Sequence, residues 1–164
     1  MKVKIKKLHK DATIPKQATD LAGGWDVTAT EIERVGEDFV ICKLGFALQI
    51  PKTHRLILVP RSSLTKTKWV LQNSPGLGDA DYLQEYQYRF RALPEKIKLY
   101  GKDVYQLVHG KNWEEFSLKY SPFPYFEGDR IGQVYLEEVI PMEFEEVEEF
   151  DFENNRGGYG STGK

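Results

Sequence analysis

One stretch of ten residues, 73–82, combines the groups that a binding and catalytic hairpin needs. It runs from Asn73 to Tyr82 and holds an amide, a Pro-Gly pair, a further glycine, two acids and an aromatic ring. Pro75-Gly76 is a strong turn signal, and Gly78 lets a ligand or a second backbone approach where a side chain would block it. Pro, Gly and Asp are also what any solvated turn uses. By themselves these residues therefore fit a pocket and a surface hairpin equally well.

Two other stretches place polar groups beside predicted strands. Asp26 lies between apolar neighbours directly after a pair of glycines, where an acid serves either a functional role or a turn or cap. Arg61 precedes Ser62 and Ser63 at the end of a strand, and a basic residue beside two hydroxyls can contact an anion. A Ser-Ser turn with no ligand is the usual alternative for that pattern.

The chain closes on an acidic segment, 141–153, and a glycine-rich tail, 154–164. Acids at such density repel one another and stay hydrated, which favours an extended linker. The tail can wrap a phosphate chain with backbone N–H groups once it orders. Its last seven residues also fit the start of a nucleotide triphosphatase phosphate loop, but that motif needs a following Ser or Thr and a helix N-terminus. We expect no phosphate loop of that kind.

Short strands must position these stretches. Runs of β-branched and large apolar residues, separated by Gly or Pro, predict strands, and strict alternation of Tyr86, Tyr88 and Phe90 with polar residues predicts a half-buried one. The predicted strands are Met1–Lys10 (an edge strand), Phe39–Leu44, Phe46–Ile50, Arg55–Val59, Gln84–Arg91 and a turn-strand unit at Glu127–Val139. Helical periodicity is weak, so the pattern predicts a compact all-β barrel or sandwich of the jelly-roll class.

Composition limits the function further. The 164 residues are 40% hydrophobic and 29% charged, which fits one domain, and the net charge of -2 gives no general attraction to nucleic acid or an anionic membrane. An anionic ligand would need a local positive site or a metal ion. The single Cys42, the scattered His9, His54 and His109, and the lack of a membrane-length apolar run predict a soluble, cytoplasmic protein without a disulfide or a protein-built zinc site.

Residues 93–125 differ in character from the rest of the chain. Lysines there alternate with aromatic residues, a pattern found in single-stranded nucleic-acid binders. Nearby acids largely cancel the lysines, which favours a locally packed insertion without nucleic-acid binding.

Five stretches, in this order, resemble the motifs of the homotrimeric deoxyuridine triphosphate nucleotidohydrolases, the dUTPases. They are Ala22–Val27, Pro60–Ser63, Asn73–Tyr82, Gly128–Gln133 and Gly157–Gly163. The resemblance covers the chain except residues 93–125, which shorter members lack and bacteriophage-type members have. It implies a distorted jelly-roll β-barrel at 1–153 that forms a homotrimer with sites at subunit boundaries, and a flexible tail at 154–164 that closes over a neighbour's site.

The resemblance also implies an activity, the hydrolysis of dUTP to dUMP and pyrophosphate in the cytosol of a bacterium or a phage-infected host. This reaction limits uracil incorporation into DNA and supplies dUMP for dTMP synthesis. Asp79 is then expected to orient and deprotonate the water that attacks the α-phosphate. Tyr82 would lie against the deoxyribose and exclude a 2′-hydroxyl. Asn73, with the backbone at Gly76 and Leu77, would bind the uracil edge.

Further substrate contacts implied by the resemblance lie along the triphosphate and over the base. Tyr159 would stack on the uracil. The other contacts would come from Arg61, Ser62, Ser63, Gln133, Arg156, Ser161 and Thr162. Mg²⁺ would be held mainly by the triphosphate and by waters, some of them oriented by Asp26, because Mg²⁺ usually keeps much of its hydration.

The chain departs from the family pattern at several positions. Gly78 stands where a branched apolar residue is common, and Gln84 stands where a glycine is usual; both are expected to loosen the hairpin. Gly132 replaces a common alanine and is expected to matter little. In the tail, an ungapped match places Asn154 rather than Arg156 at the arginine position.

Two other functions remain open from the sequence. A relative of the same fold, a dCTP deaminase or bifunctional deaminase, would need a glutamate beside the cytosine ring and usually lacks a tyrosine-containing glycine tail. A trimeric regulatory module would bind another protein through the insertion, with or without hydrolysis.

Overall fold

A computed structural model describes residues 1–94, 98–99, 102–103 and 120–151, and its strands confirm the predicted all-β fold. A single 3₁₀ helix spans Ser62–Lys66 in the described ranges. The strands are β1 Lys4–Lys7, β2 Trp25–Thr28, β3 Glu31–Arg34, β4 Phe39–Lys43, β5 Phe46–Gln49, β6 His54–Pro60, β7 Trp69–Leu71, β8 Gly76–Gly78, β9 Gln87–Ala92, β10 Lys98–Leu99, β11 Lys102–Asp103 and β12 Arg130–Glu138. None of the helices in these ranges is long and apolar enough to cross a membrane.

Two four-stranded antiparallel sheets form the body of the molecule. Their strand orders are β2-β12-β6-β8 and β3-β4-β9-β7, and shorter pairs join β1 to β5 and β10 to β11. The first sheet brings together stretches that are far apart in the sequence. Asp26 lies on β2, Gln133 on β12 and Arg61 directly after β6, while β8 leads into Asp79. The first sheet therefore carries candidate site residues from four of the five resembling stretches.

The local sequence patterns predicted the central strands well. β4, β5 and β6 begin and end within one residue of the predicted runs. β9 begins at Gln87, three residues later than predicted, yet the predicted alternation is confirmed, because Tyr86, Tyr88 and Phe90 are only 4%, 0% and 0% exposed. β1 is a four-residue strand on β5, shorter than the predicted edge strand.

Aromatic rings from β9 fill the space between the sheets. Tyr88 and Phe90 stack with ring centroids 6.1 Å apart, and Phe90 also contacts Phe123 at 5.4 Å and Tyr125 at 6.0 Å. Phe123 in turn packs edge-on against Trp69 at 4.9 Å. Residues 120–125 therefore contribute to the common core rather than standing apart from it.

Gly132 on β12 is required by this packing, which contradicts the expectation that it matters little. A Cβ at this position would lie 2.2 Å from Cε1 and 2.4 Å from Cζ of Tyr88. Tyr88 cannot easily move away, because it is fully buried and its hydroxyl donates to the carbonyl of Gln133 at 2.7 Å. The ring of Tyr88 thus fills the volume that the side chain of an alanine at position 132, common in the family, would need.

We expect Gly132→Ala to lower the free energy of unfolding by about 1–3 kcal/mol, because the added methyl overpacks the core. Gly23→Ala is the matched control, since a Cβ there meets nothing within 4 Å, and we expect it to change stability by no more than about 0.5 kcal/mol. Thermal and urea unfolding measure both. Equal effects of the two substitutions would contradict the packing role of Gly132.

Candidate functional site

A buried carboxylate organises one half of the candidate site. Asp26 is 7% exposed, and both of its oxygens are used: Oδ2 accepts from Nη1 of Arg130 at 2.8 Å and Oδ1 accepts from Nε2 of Gln133 at 3.0 Å. Nε of Arg61 lies 3.9 Å from Oδ1. A buried charge needs such partners to offset its lost hydration. The interpretation of Asp26 as more than a chance surface acid is consistent with these contacts.

Two guanidinium groups surround this carboxylate and leave a local positive charge. Nη1 of Arg61 donates to the carbonyl of Arg130 at 3.3 Å, which holds the two arginines together. Their side chains are 30% and 55% exposed, so both reach solvent. Ser62 and Ser63 follow on the exposed side of the 3₁₀ helix. Two cations against one anion, with two hydroxyls beside them, form a site suited to an anion.

Arg130 had no assigned role before the structure. It lies inside the fourth resembling stretch, where only Gln133 was singled out. Its contact with Asp26 depends on the antiparallel register of β12 and β2, in which Gln133 pairs with Asp26 and Arg130 with Thr28. The signal in the sequence was a basic residue at the start of a strand, which is too common to be specific.

The region that carries Ser62 and Ser63 also holds both ends of residues 93–125. The N–H of Leu93 donates to the carbonyl of Lys68 at 2.7 Å. Nε1 of Trp69 donates to the carbonyls of Ser121 at 2.9 Å and Pro122 at 3.1 Å. The hydroxyls of Ser63 and Tyr125 lie 3.4 Å apart. The segment therefore leaves and rejoins the β-sandwich beside this serine.

The hairpin stretch forms the other half of the candidate site. Asn73 lies against Gly76, where a Cβ would come within 3.2 Å of the Asn73 side-chain nitrogen. β8 pairs with β6 through Gly76 opposite Leu58 and Leu77 opposite Ile57, and the Leu77 side chain is 62% exposed. The structure thus brings Asn73, Gly76 and Leu77 together, with a narrow space above the glycine.

Asp79 and Tyr82 share the turn that follows β8. The N–H of Tyr82 donates to the carbonyl of Asp79 at 3.1 Å, and the Tyr82 hydroxyl donates to the carbonyl of Glu85 at 3.0 Å. Glu85 is itself fixed, because its Oε1 accepts from the N–H of Gly45 at 2.8 Å. Asp79 is exposed and Tyr82 is 42% exposed, so both can meet a ligand.

Gly78 does not leave the hairpin loose, in contrast to the expectation from its departure from the family pattern. A Cβ on Gly78 would lie 2.6 Å from Cε1 and 3.0 Å from Oη of Tyr86, and 3.2 Å from Cβ of Leu56. The Tyr86 ring therefore occupies the place of the missing side chain. Burial raises the pKa of Tyr86 to about 12, with smaller contributions from Tyr82 and Asp79, so this phenol stays protonated.

One chain does not bring the two halves together. Gly78 lies opposite Leu56 in the sheet, whereas Arg61 follows β6 five positions further along. At about 3.3 Å per residue this corresponds to roughly 16 Å of strand. Asp79 and Arg61 thus lie toward opposite ends of the β6–β8 pair.

The remaining predicted residues lie outside the described ranges. They are the tail residues Asn154, Arg156, Tyr159, Ser161 and Thr162. Within the described ranges, no three His, Cys, Asp or Glu residues lie close enough to hold a metal ion. Burial raises the pKa of the Cys42 thiol to about 12, which leaves it protonated and unsuited to act as a nucleophile.

The chain resembles curated proteins over its full length, although no protein-family model matches it. A curated protein of Nautilia profundicola named deoxyuridine 5′-triphosphate nucleotidohydrolase is 35% identical over 168 residues, with 100% of each chain covered. A protein of the same name from Helicobacter pylori is 32% identical over 167 residues, covering 99% of this chain and 97% of that one.

Solved structures show the same fold at lower sequence identity. The dUTPase of Staphylococcus bacteriophage 80alpha with dUpNHpp has a TM-score of 0.73 and 21% identity, covering 99% of this chain and 98% of that one. A dUTPase variant from phage phi11 of S. aureus, which coordinates a structural Mg(II) ion, has a TM-score of 0.66 and 18% identity over 93% of this chain and 100% of that one. These likenesses confirm the predicted jelly-roll class.

We expect Asp26→Ala to lower the free energy of unfolding by about 2–3 kcal/mol, because it leaves Gln133 and two arginines without their shared acceptor. Asp38→Ala removes an acid that pairs with Arg91 at 2.5 Å on the other sheet, where both side chains are partly exposed, and should cost no more than about 1 kcal/mol. Urea unfolding of both variants measures the difference. A cost for Asp26→Ala as small as that of the control would remove the carboxylate from its organising role.

Proposed function

Because the chain belongs to the deoxyuridine 5′-triphosphate nucleotidohydrolase (dUTPase) family, we propose that it hydrolyses dUTP to dUMP and pyrophosphate through the two half-sites described above. The observation that carries the assignment of residues is the strand order of the first sheet. It places the Asp26 cluster and the Asn73–Tyr82 hairpin on one framework. The activity limits uracil incorporation into DNA and supplies dUMP for dTMP synthesis.

The Asp26 cluster would bind the triphosphate. Arg61 offers a guanidinium to the phosphate oxygens, and Ser62 and Ser63 offer hydroxyls beside it. Gln133 gives one side-chain N–H to Asp26 and retains a second for a phosphate oxygen. Since Asp26 holds Gln133 and lies beside Arg61 before substrate arrives, little reorganisation of these two donors is needed when charge develops in the transition state.

Asp79 would act as the general base. An attacking water gives its proton to the Asp79 carboxylate as its oxygen bonds to the α-phosphorus, while the bond from that phosphorus to the bridging oxygen breaks and pyrophosphate leaves in line. The exposed turn that carries Asp79 leaves its carboxylate accessible to such a water.

Asn73 and the β8 backbone would select the base, and Tyr82 would select the sugar. Asn73 and the backbone at Gly76 and Leu77 offer hydrogen bonds for the uracil edge, and the small space above Gly76 disfavours a thymine methyl group. The ring of Tyr82, which is 42% exposed, would lie against the deoxyribose and would leave no room for a 2′-hydroxyl.

The described residues fit a Mg²⁺ ion that is bound through the substrate rather than in a protein cage. Asp26 is the carboxylate of the phosphate half, and both of its oxygens already accept protein N–H groups. Each carboxylate oxygen retains a lone pair for a metal-bound water. When bound, the ion would neutralise triphosphate charge. The phi11 dUTPase variant coordinates a structural Mg(II) ion, which supports the dependence on this metal.

We further propose that the functional unit is a homotrimer in which the half-sites of different copies meet. The separation of roughly 16 Å between the half-sites within one chain supports this arrangement. The acidic segment after β12 supports it too, because it also exposes several large apolar side chains, and exposed apolar surface often marks an interface. Its large apolar side chains are 76–87% exposed at Ile140, Met142, Phe144 and Phe150.

The tail and the insertion complete the proposal. Arg156, Ser161 and Thr162 would close over the phosphates of a neighbouring site, with Tyr159 on the uracil, in the cytosol of a bacterium or an infected host. Residues 93–125 would bind a protein partner. The phage 80alpha dUTPase, which has the same fold, controls transfer of virulence genes by a proto-oncogenic G protein-like mechanism, and such control is consistent with a protein partner.

We expect the protein with Mg²⁺ to release pyrophosphate from dUTP in preference to dCTP, dTTP and UTP. Asp79→Asn should keep nucleotide binding and lose about 10²–10⁴-fold in turnover, which is the usual share of a positioned base. Asp81→Asn, an exposed acid in the same turn, is the control and should stay close to the unsubstituted rate. Ammonia release from dCTP would favour the deaminase instead, and near-normal turnover of Asp79→Asn would remove its assigned role.

Hybrid assemblies test whether two copies share each site. Asp79→Asn and Arg61→Ala should each be nearly inactive alone. After unfolding and refolding together in equal amounts, about a quarter of the sites should combine an intact Asp79 with an intact Arg61 from another copy. Recovery of about a quarter of the unsubstituted activity is expected, with mass measured by light scattering. No recovery from verified hybrids would place both residues of a site on one chain.

A further inference from the structure

Tyr86 fills a position that the hairpin itself leaves empty. Its ring and hydroxyl lie where the first side-chain atom of residue 78 would be, 2.6–3.0 Å from an ideal Cβ on Gly78. Gly78 is the residue directly before Asp79. The entry to the catalytic turn is thus supported by a side chain from a different strand region, on the far side of the turn.

The same side chain also contacts the exit of that turn. The rings of Tyr82 and Tyr86 meet edge-on, with centroids 5.1 Å apart and planes at 67°. The Tyr86 hydroxyl donates to the carbonyl of Tyr82 at 3.4 Å. Tyr86 therefore touches both ends of the segment 78–82, which contains Asp79 and the exposed ring of Tyr82.

Tyr86 is well fixed for such a role. It is 4% exposed, its N–H donates to the carbonyl of Phe46 at 3.3 Å, and its carbonyl accepts from the N–H of Leu44 at 3.1 Å. A buried residue whose backbone is held in this way restrains what its ring touches, whereas Tyr82 is 42% exposed. The Tyr82 hydroxyl is held by the carbonyl of Glu85, and the Tyr86 ring adds a contact on the buried side of the pair. Edge-on aromatic pairs favour a defined ring orientation.

We propose that Tyr86 is a positioning residue for sugar selection: it holds the Tyr82 ring at the angle and height that exclude a ribose 2′-hydroxyl. The inference rests on the proposed placement of Tyr82 against the deoxyribose. Gly78 belongs to the same device, because a side chain at residue 78 would displace the Tyr86 ring.

A second glycine–tyrosine pair supplies a matched control. Tyr88 lies two residues after Tyr86 on the same face, and its ring fills the space over Gly132, where a Cβ would come within 2.2 Å. Both tyrosines are buried, and the ring of each occupies the space where a side chain at a glycine position would lie. Tyr88 contacts the carbonyl of Gln133 rather than Tyr82. A purely structural role of Tyr86 would make the two pairs behave alike.

The experiment compares the kcat/KM for dUTP with that for UTP in the full-length protein. Tyr86→Leu removes the ring, and we expect the dUTP preference to fall by about tenfold, a typical loss for one misplaced contact. Tyr88→Leu should lower the melting temperature similarly and leave the preference unchanged. Tyr86→Phe keeps the ring and should retain most of the preference. Where UTP is cleaved too slowly, its inhibition constant against dUTP gives the same comparison.

Substitution of the glycines reaches the same contact from the other side. Gly78→Ala should push the Tyr86 ring away and reduce the dUTP preference, whereas Gly132→Ala should reduce stability and leave the preference unchanged, because the ring that it meets is that of Tyr88. This arm keeps the inference testable if Tyr86→Leu does not fold. An unchanged dUTP preference in both Tyr86→Leu and Gly78→Ala, or an equal loss in the Tyr88 and Gly132 variants, would overturn it.

Tyr82→Ala separates this inference from the function on which it rests. If Tyr82→Ala lowers the dUTP preference while the Tyr86 and Gly78 variants do not, the placement of Tyr82 stands and the positioning role of Tyr86 fails. If Tyr82→Ala also leaves the preference unchanged, the assignment of Tyr82 to the sugar fails, and the positioning role of Tyr86 fails with it.

Discussion

The buried carboxylate of Asp26 is the constraint on which the proposed phosphate half of the site depends. A charge withdrawn from water must find partners, and here the partners are Arg130 and Gln133 on β12, with Arg61 close by after β6. An acid at the centre of an anion site lowers its attraction for phosphate. In return it holds the side chains of Arg130 and Gln133 in place before substrate binds. The two guanidinium groups and the one carboxylate still leave a net positive charge.

The contact between the two sheets follows a second constraint, the conservation of volume. Tyr86 and Tyr88 carry large rings across the core, and Gly78 and Gly132 lack side chains where those rings arrive. Cores tolerate exchanges of size when the total volume is kept. The two departures from the family pattern, Gly78 and Gly132, thus have the same packing explanation. In each case a large tyrosine ring fills the volume that a side chain at the glycine position would take.

Local patterns in the sequence predicted the strands, because alternation and turn residues act over a few positions. The grouping of Asp26 with Arg61 and Gln133 needed the strand order, since β12 enters between β2 and β6 from more than sixty positions away along the chain. The contact of Tyr86 with Gly78 could not be predicted by periodicity, because it depends on how two sheets face each other. The distance between the half-sites could not be predicted from local patterns either, because it follows from the β6–β8 register.

The two ends of residues 93–125 are held by adjacent residues, Lys68 and Trp69. When the ends of a loop are fixed side by side, doubling its length raises the free energy of loop closure by only about 0.6 kcal/mol. Evolution can therefore lengthen, shorten or replace the chain between these ends with little effect on the sandwich. Insertions at this point offer a way to gain a new binding surface while the candidate site residues on the sheets stay in place.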